Sequence, residues 1–242
     1  MRDLFNAFKW VLAVIIMLLL CLAFVILYSY PRLREKGFID FFRYQQKPGS
    51  VELPMATELT RCPNAPFIMP TRGWVGILYG DSILGTFNHS GLDIFGLDGN
   101  GVTPIYAAYD GYLTRRPEWT SAVIIRHPED PLLPGRQIWT YYTHMANTAG
   151  RSYIIDQIPP GVTELPVRQG TLLGYQGDYN GRSWRQISTH LHFSIVLDDG
   201  ENYFMNETDI ANTLDPSPYL GMRLNSACGD RPPLCRPDFQ CP

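Results

Sequence analysis

The sequence predicts a mostly β domain preceded by a single N-terminal transmembrane helix. Three observations lead there. Short runs rich in Ile, Val, Tyr and Trp alternate with Gly, Pro, Asp and Asn turns. Twenty prolines and twenty-one glycines accompany few helical patterns. One long apolar run lies near the N-terminus.

That run, residues 10–28 (WVLAVIIMLLLCLAFVILY), follows a short flank, 1–9, and contains no charged residue. It is long enough to cross the hydrocarbon core as a helix. It also exceeds the apolar stretch of a cleaved signal peptide, and no small-x-small site follows it, so an anchor is expected. Arg2 and Lys9 precede the run, while Arg32, Arg34, Lys36, Arg43 and Lys47 follow it. Taken alone, this bias favours a cytoplasmic C-terminus.

The cysteines point the other way. Cys21 lies within the apolar run, which leaves Cys62, Cys228, Cys235 and Cys241, an even number in a Pro-rich context that favours disulfides in an oxidising compartment. Four thiols permit three full pairings; one bridge from Cys62 to the C-terminal tail is expected, because a loop of that span constrains the unfolded chain.

Residues 29–70 form a juxtamembrane segment and linker. PRLREKGFIDFFRYQQKP mixes Phe38, Ile39, Phe41 and Phe42 with basic residues, a composition suited to contact with lipid headgroups. From Gly49 to Pro70 the chain reads as an extended connection. The compact domain is expected over 71–221, with a Cys/Pro-rich tail over 222–242. Acidic and basic residues are interspersed and the net charge is -3, which leaves no electrostatic footprint for nucleic acid.

Within the domain, TRGWVGILYG, PIYAAYDGYLTR, SAVIIRH, QIWTYYTHM, TLLGYQGD and HLHFSIVLD read as strands. Near the end, Thr208 or Asp209 is placed to cap a short turn before Pro216.

The chain has five histidines. In HLHFSIV, strand periodicity puts His190, His192 and Ser194 on one face and turns Leu191, Phe193 and Ile195 into the core. In NHSGLDIFG, His89 stands four residues before Asp93, with Gly91 expected to bend a loop so that imidazole and carboxylate converge. In WTYYTHM, alternation places Tyr142 and His144 on a shared face. His127, after a strand and before a proline turn, reads as a surface histidine outside the site. Two imidazoles and a carboxylate suit zinc and leave a fourth position for water, as a hydrolytic site requires.

The order H-x-G-x-D (His89, Gly91, Asp93), P-I-Y-A-A-Y-D-G (104–111), Y-T-H (142–144), the glycines Gly170, Gly174 and Gly177, and H-L-H-F (190–193) resembles the M23, or lysostaphin-like, metallopeptidase family over roughly residues 73–221. The resemblance implies a lysostaphin-like antiparallel β-sheet domain with a groove, in which His89, Asp93 and His192 bind Zn2+ while His144 and His190 act on the reacting groups. It also implies that the substrate is the peptide cross-links of bacterial peptidoglycan, reached from the extracytoplasmic side of the cytoplasmic membrane. Tyr106, Tyr142, Tyr179 and Trp184 are candidate groove walls. WRQISTHLHF departs from the small-residue loop common in the family, and PEDPLLPGRQ is longer than a tight hairpin needs. The competing reading is an accessory or scaffolding subunit of a larger membrane complex that keeps the fold, with companion subunits as partners.

Overall fold

The structure is a computed structural model that describes residues 10–25, 43–44, 46–47, 50, 53, 55–82, 88–181, 186–228 and 234–236. The chain divides into two units, Met1–Val51 and Glu52–Pro242. In the first, residues 10–25 are helical. Among the described residues no helix is long and apolar enough to cross a membrane. The last part of the predicted span, 26–28, and the phenylalanine-rich stretch through Phe42 lie outside the described residues, as do Trp184 and Cys241.

The second unit is built on antiparallel strands: Met55–Ala56 (β1), Gly73–Ile77 (β2), Leu92–Phe95 (β3), Pro104–Tyr106 (β4), Gly111–Thr114 (β5), Val123–His127 (β6), Ile138–Thr143 (β7), Leu165–Val167 (β8), Leu172–Tyr175 (β9), Gly177–Tyr179 (β10), Gln186–Leu197 (β11) and Thr213–Leu214 (β12). The main sheet runs β1-β2-β3-β11-β7-β6-β5-β8, with β10 and β12 also pairing with β11, and β4 and β9 make a separate ribbon. The long strand β11 is therefore the spine.

Alternation along β11 separates two environments. Leu191, Phe193 and Ile195 are fully buried and join Leu92, Ile94, Tyr142, Ile125, Phe67, Met69 and Ile105 in the main core. Their neighbours His190, His192 and Ser194 are buried on the opposite face, where Val196, Ile124 and Trp139 form a second cluster under Trp119, Tyr141 and Phe204. Both faces are thus covered, and the histidines sit at the shielded end of the second.

Cys62 is bridged to Cys235, 173 residues away. Cys228 is also disulfide-bonded. Near the C-terminus, Asp209 caps the turn Ile210–Asn212 by accepting the amide of Ala211, and one helical turn follows at Ser217–Leu220. The long connection between β6 and β7 is anchored at Asp130, which is buried, pairs with Arg136 at 2.6 Å and accepts the Tyr219 hydroxyl at 2.9 Å.

Asp93 and His127 sit differently from what the sequence suggests. Asp93 is not on a loop: it stands in β3, and Gly91 is needed because a Cβ there would collide with the Phe193 carbonyl. His127 is not a surface residue but is 1% exposed. Its Nδ1–H donates to the Asp110 carbonyl at 2.7 Å, and its Nε2 lies 2.9 Å from the Thr140 hydroxyl. Both polar ends of the ring are satisfied inside the fold, so the end of a strand accommodates it without water.

Burial pushes His127 down to about 4 from 6.5. A histidine held neutral in the fold takes up a proton first in the unfolded chain, so stability is lost as pH falls from 6.5 towards 4. Denaturant titrations across that window should show the wild type losing up to about 3 kcal/mol more than His127→Gln; parallel profiles for the two proteins would contradict this account of the ring.

Candidate metal centre

The centre begins with strand register. Antiparallel pairing of β3 with β11 sets Asp93 directly opposite His192, and directly opposed residues hold their Cβ atoms about 5 Å apart on one face. His190, two residues earlier on β11, lies on that same face opposite Gly177 of β10. His89 enters from the segment before β3. Its backbone is held by two hydrogen bonds, from its amide to the Asp81 carbonyl at 2.7 Å and from the Gly80 amide to its own carbonyl at 2.8 Å.

Three ligand-type atoms converge. His89 Nε2 lies 3.0 Å from Asp93 Oδ1 and 3.1 Å from His192 Nδ1, and His192 Nδ1 lies 2.8 Å from Asp93 Oδ1. All three side chains are buried. His190 Nε2 is 3.7 Å from the same carboxylate oxygen.

His144 reaches the cluster by breaking alternation. Thr143 pairs opposite His192 and Tyr142 opposite Phe193, so a regular strand would carry residue 144 to the core face with Tyr142. Instead His144 adopts φ 73°, in the left-handed region, where a non-glycine residue is uncommon. Its ring then stands 4.4 Å from His190 and 6.3 Å from His192, centroid to centroid. The expected shared face of Tyr142 and His144 is thereby corrected: Tyr142 belongs to the core, where its hydroxyl accepts the Ala108 amide at 2.8 Å.

Backbone carbonyls fix three of the four rings. His89 Nδ1 donates to Leu78 O at 3.2 Å, His144 Nδ1 to Tyr179 O at 2.7 Å, and His190 Nδ1 to Ser188 O at 2.6 Å. A carbonyl only accepts, so Nδ1 carries the hydrogen and Nε2 is the lone-pair nitrogen of each neutral ring. His192 is reversed, with Nδ1 towards Asp93 and Nε2 3.4 Å from Glu207 Oε2.

This donor set fits a divalent ion. Unprotonated, Asp93 Oδ1, His89 Nε2 and His192 Nδ1 would be three lone-pair atoms within 3.1 Å of one another, an arrangement that needs a cation among them. A proton fills that need in the metal-free cluster. Burial works against a charge on His192, but the hydrogen bond to Asp93 and the neighbouring Asp93 and Glu207 carboxylates overcome it and push the ring up to about 10. Burial likewise opposes the Asp93 carboxylate, yet the surrounding histidines hold it well below the usual carboxylate range. His144 is pushed down to about 3 by burial and by the charges of His190 and His192, and burial also lowers His190.

The cluster is reached from a hollow of about 240 Å³ lined by Asn88, His89, Ser90, Thr143, His144, His192, Glu207 and Thr208. A second hollow of about 360 Å³, walled by Trp119, Ser121, Tyr141 and Tyr179, shares Thr143, His144 and Glu207 with it. Of the candidate wall residues, Tyr179 lines this second hollow and Tyr142 is core. Tyr106, on the β4–β9 ribbon, lines neither hollow. Sequence reasoning missed Glu207. An acid fifteen positions beyond His192 in an irregular segment carries no spacing signal, and only the return of the chain alongside β11 brings it near.

No protein-family model and no curated protein matches the chain. Solved structures do. The antimicrobial peptidase lysostaphin from Staphylococcus simulans aligns with TM-score 0.37 and 19% identity over 60% of this chain and 49% of its own. A putative glycyl-glycine endopeptidase lytM from Ruminococcus gnavus aligns with TM-score 0.36 and 24% identity over 55% and 45%. The catalytic domain of the prophage-encoded M23 protein EnpA from Enterococcus faecalis aligns with TM-score 0.37 and 18% identity over 62% and 95%. The chain thus spans about half the length of the first two.

Because the Asp93 and Glu207 carboxylates favour a proton on His192, a metal ion taking Nδ1 of that ring must expel it. Calorimetric titration with Zn2+ at pH 7 in buffers of different ionisation enthalpy should therefore report about one proton released per ion bound; uptake without proton release would contradict the assignment of His192 as a ligand.

Proposed function

We propose that the chain is a zinc metalloendopeptidase that cleaves peptide cross-links of bacterial peptidoglycan. The observation that carries this reading is the meeting of His89 Nε2, Asp93 Oδ1 and His192 Nδ1 within 3.1 Å of one another, with two further imidazoles beside them and a hollow open to substrate. The substrate class comes from the motif resemblance to M23 enzymes. In this reading the apolar run 10–28 serves as the anchor of a single-pass chain in the cytoplasmic membrane. The disulfide between Cys62 and Cys235 supports a domain on the extracytoplasmic side.

His89, Asp93 and His192 would hold the ion, leaving a fourth tetrahedral position for water or substrate. Bound there, zinc supplies Lewis acidity, polarising a carbonyl and acidifying water. The rest is the work of the protein's own groups. Burial lowers His144 and His190, so at neutral pH each ring is neutral and presents an Nε2 lone pair to the reacting groups. Between them these two atoms accept the proton of the attacking water and return it to the departing amine. Their Nδ1 hydrogens stay on the carbonyls of Tyr179 and Ser188 throughout, which keeps both rings oriented while Nε2 changes protonation state.

The two groups of residues separate by substitution. His144→Ala should retain stoichiometric zinc by elemental analysis and lose about 10²–10⁴-fold in turnover of purified cell-wall peptides, whereas Asp93→Ala should lose the metal itself. A His144→Ala protein of wild-type activity would remove that ring from the mechanism, and a fully zinc-loaded Asp93→Ala protein would remove Asp93 from the ligand set.

A further inference from the structure

Among the described residues, His192 is the one imidazole of the cluster without a backbone carbonyl to hold it. With Nδ1 turned to Asp93, the other nitrogen, Nε2, is buried and has no aligned hydrogen-bond partner among the described residues. A ring that gives Nδ1 to a metal keeps its hydrogen on Nε2, and a buried N–H needs an acceptor. The charged group nearest to it is Glu207 Oε2, 3.4 Å away, with the side chains 11% and 23% exposed.

The position of that carboxylate is built. Asn206, just before it, accepts the Thr208 amide at 3.2 Å and the Thr208 hydroxyl at 2.9 Å through its Oδ1, and its carbonyl accepts from Asn212 Nδ2 at 3.0 Å. Asp209, just after it, caps the following turn through the Ala211 amide at 3.0 Å. Glu207 is therefore held on both sides by a closed loop. Its Oε2 also lies 3.4 Å from the Ser90 hydroxyl, next in sequence to His89. One oxygen thus touches His192 and the neighbour of His89, bridging β11 to the segment that supplies another candidate ligand.

We propose that Glu207 is a positioning residue for the metal centre: its carboxylate receives the Nε2 hydrogen of His192 and fixes the ring with Nδ1 facing the ion. This rests on the zinc reading above and extends it to a residue that the motif order does not contain. A carboxylate behind a ligating imidazole both orients the ring and strengthens it as a donor, and loss of such a group costs 10–100-fold in metal affinity. The movement required is small, since a few tenths of an ångström closes 3.4 Å to a normal N–H···O separation. The partly desolvated setting of both groups keeps their attraction stronger than that of an exposed surface pair.

The test compares wild type with Glu207→Gln on the full chain in detergent, measuring the Zn2+ dissociation constant by chelator competition and the melting temperature of each metal-free protein. The expected result is a 10–100-fold weaker dissociation constant for Glu207→Gln, an altered visible spectrum of its Co2+ form, and unchanged melting of the metal-free protein. Equal affinities in a wild type and variant that both bind Zn2+ would overturn the role of Glu207 and leave the metal reading standing. A loss of affinity matched by lower metal-free melting would overturn it in favour of a structural role. A wild type that takes up no Zn2+ would overturn both together.

Discussion

Everything at the centre depends on the register of two strands. Asp93 and His192 face each other because β3 pairs with β11 in one register, and that register is set by apolar residues rather than by the site. Leu92 and Ile94 on one strand, and Leu191, Phe193 and Ile195 on the other, are each fully buried on the core face. A slip of one residue would turn all of them outward. The hydrophobic free energy that closes the core thereby holds a carboxylate against an imidazole on the opposite face, at a position where neither gains much by itself. Gly91 completes the arrangement by letting the chain before β3 pass against the Phe193 carbonyl.

Orientation is a separate problem, solved by hydrogen bonds. Imidazoles rotate about two bonds, and a centre that relied on packing alone would leave them free to turn. The Leu78, Tyr179 and Ser188 carbonyls remove that freedom for His89, His144 and His190 and settle which nitrogen faces inward. The Leu78 and Tyr179 carbonyls lie 11 and 35 residues from the rings they hold, so those two orientations come with the closed fold, whereas Ser188 is a neighbour of His190 on β11. Electrostatics supplies the last condition: lone pairs brought this close call for a positive charge, which a proton on His192 provides in the metal-free cluster and a divalent ion would provide better.

The strand-forming segments were legible because period-two alternation is a local property: Leu191, Phe193 and Ile195 on one face and His190 and His192 on the other follow from spacing alone. Gly91 reads in the sequence as a bend that puts Asp93 on a loop, whereas the glycine is there for close approach between strands. His144 defeated the same alternation rule that served β11, since a single residue at φ 73° reverses its direction and nothing in YTH signals the reversal. His127 looked external beside Pro128, yet the Asp110 carbonyl and the Thr140 hydroxyl satisfy it inside. Those partners are remote in sequence, and so is Glu207 from His192.

Anomalous diffraction at the zinc edge, on crystals of the full chain grown with Zn2+, decides whether His89, Asp93 and His192 are the protein ligands of one ion. The account predicts one strong peak at about 2.0–2.2 Å from His89 Nε2, Asp93 Oδ1 and His192 Nδ1. A peak bound elsewhere, or no density between those three atoms at saturating metal, would contradict it.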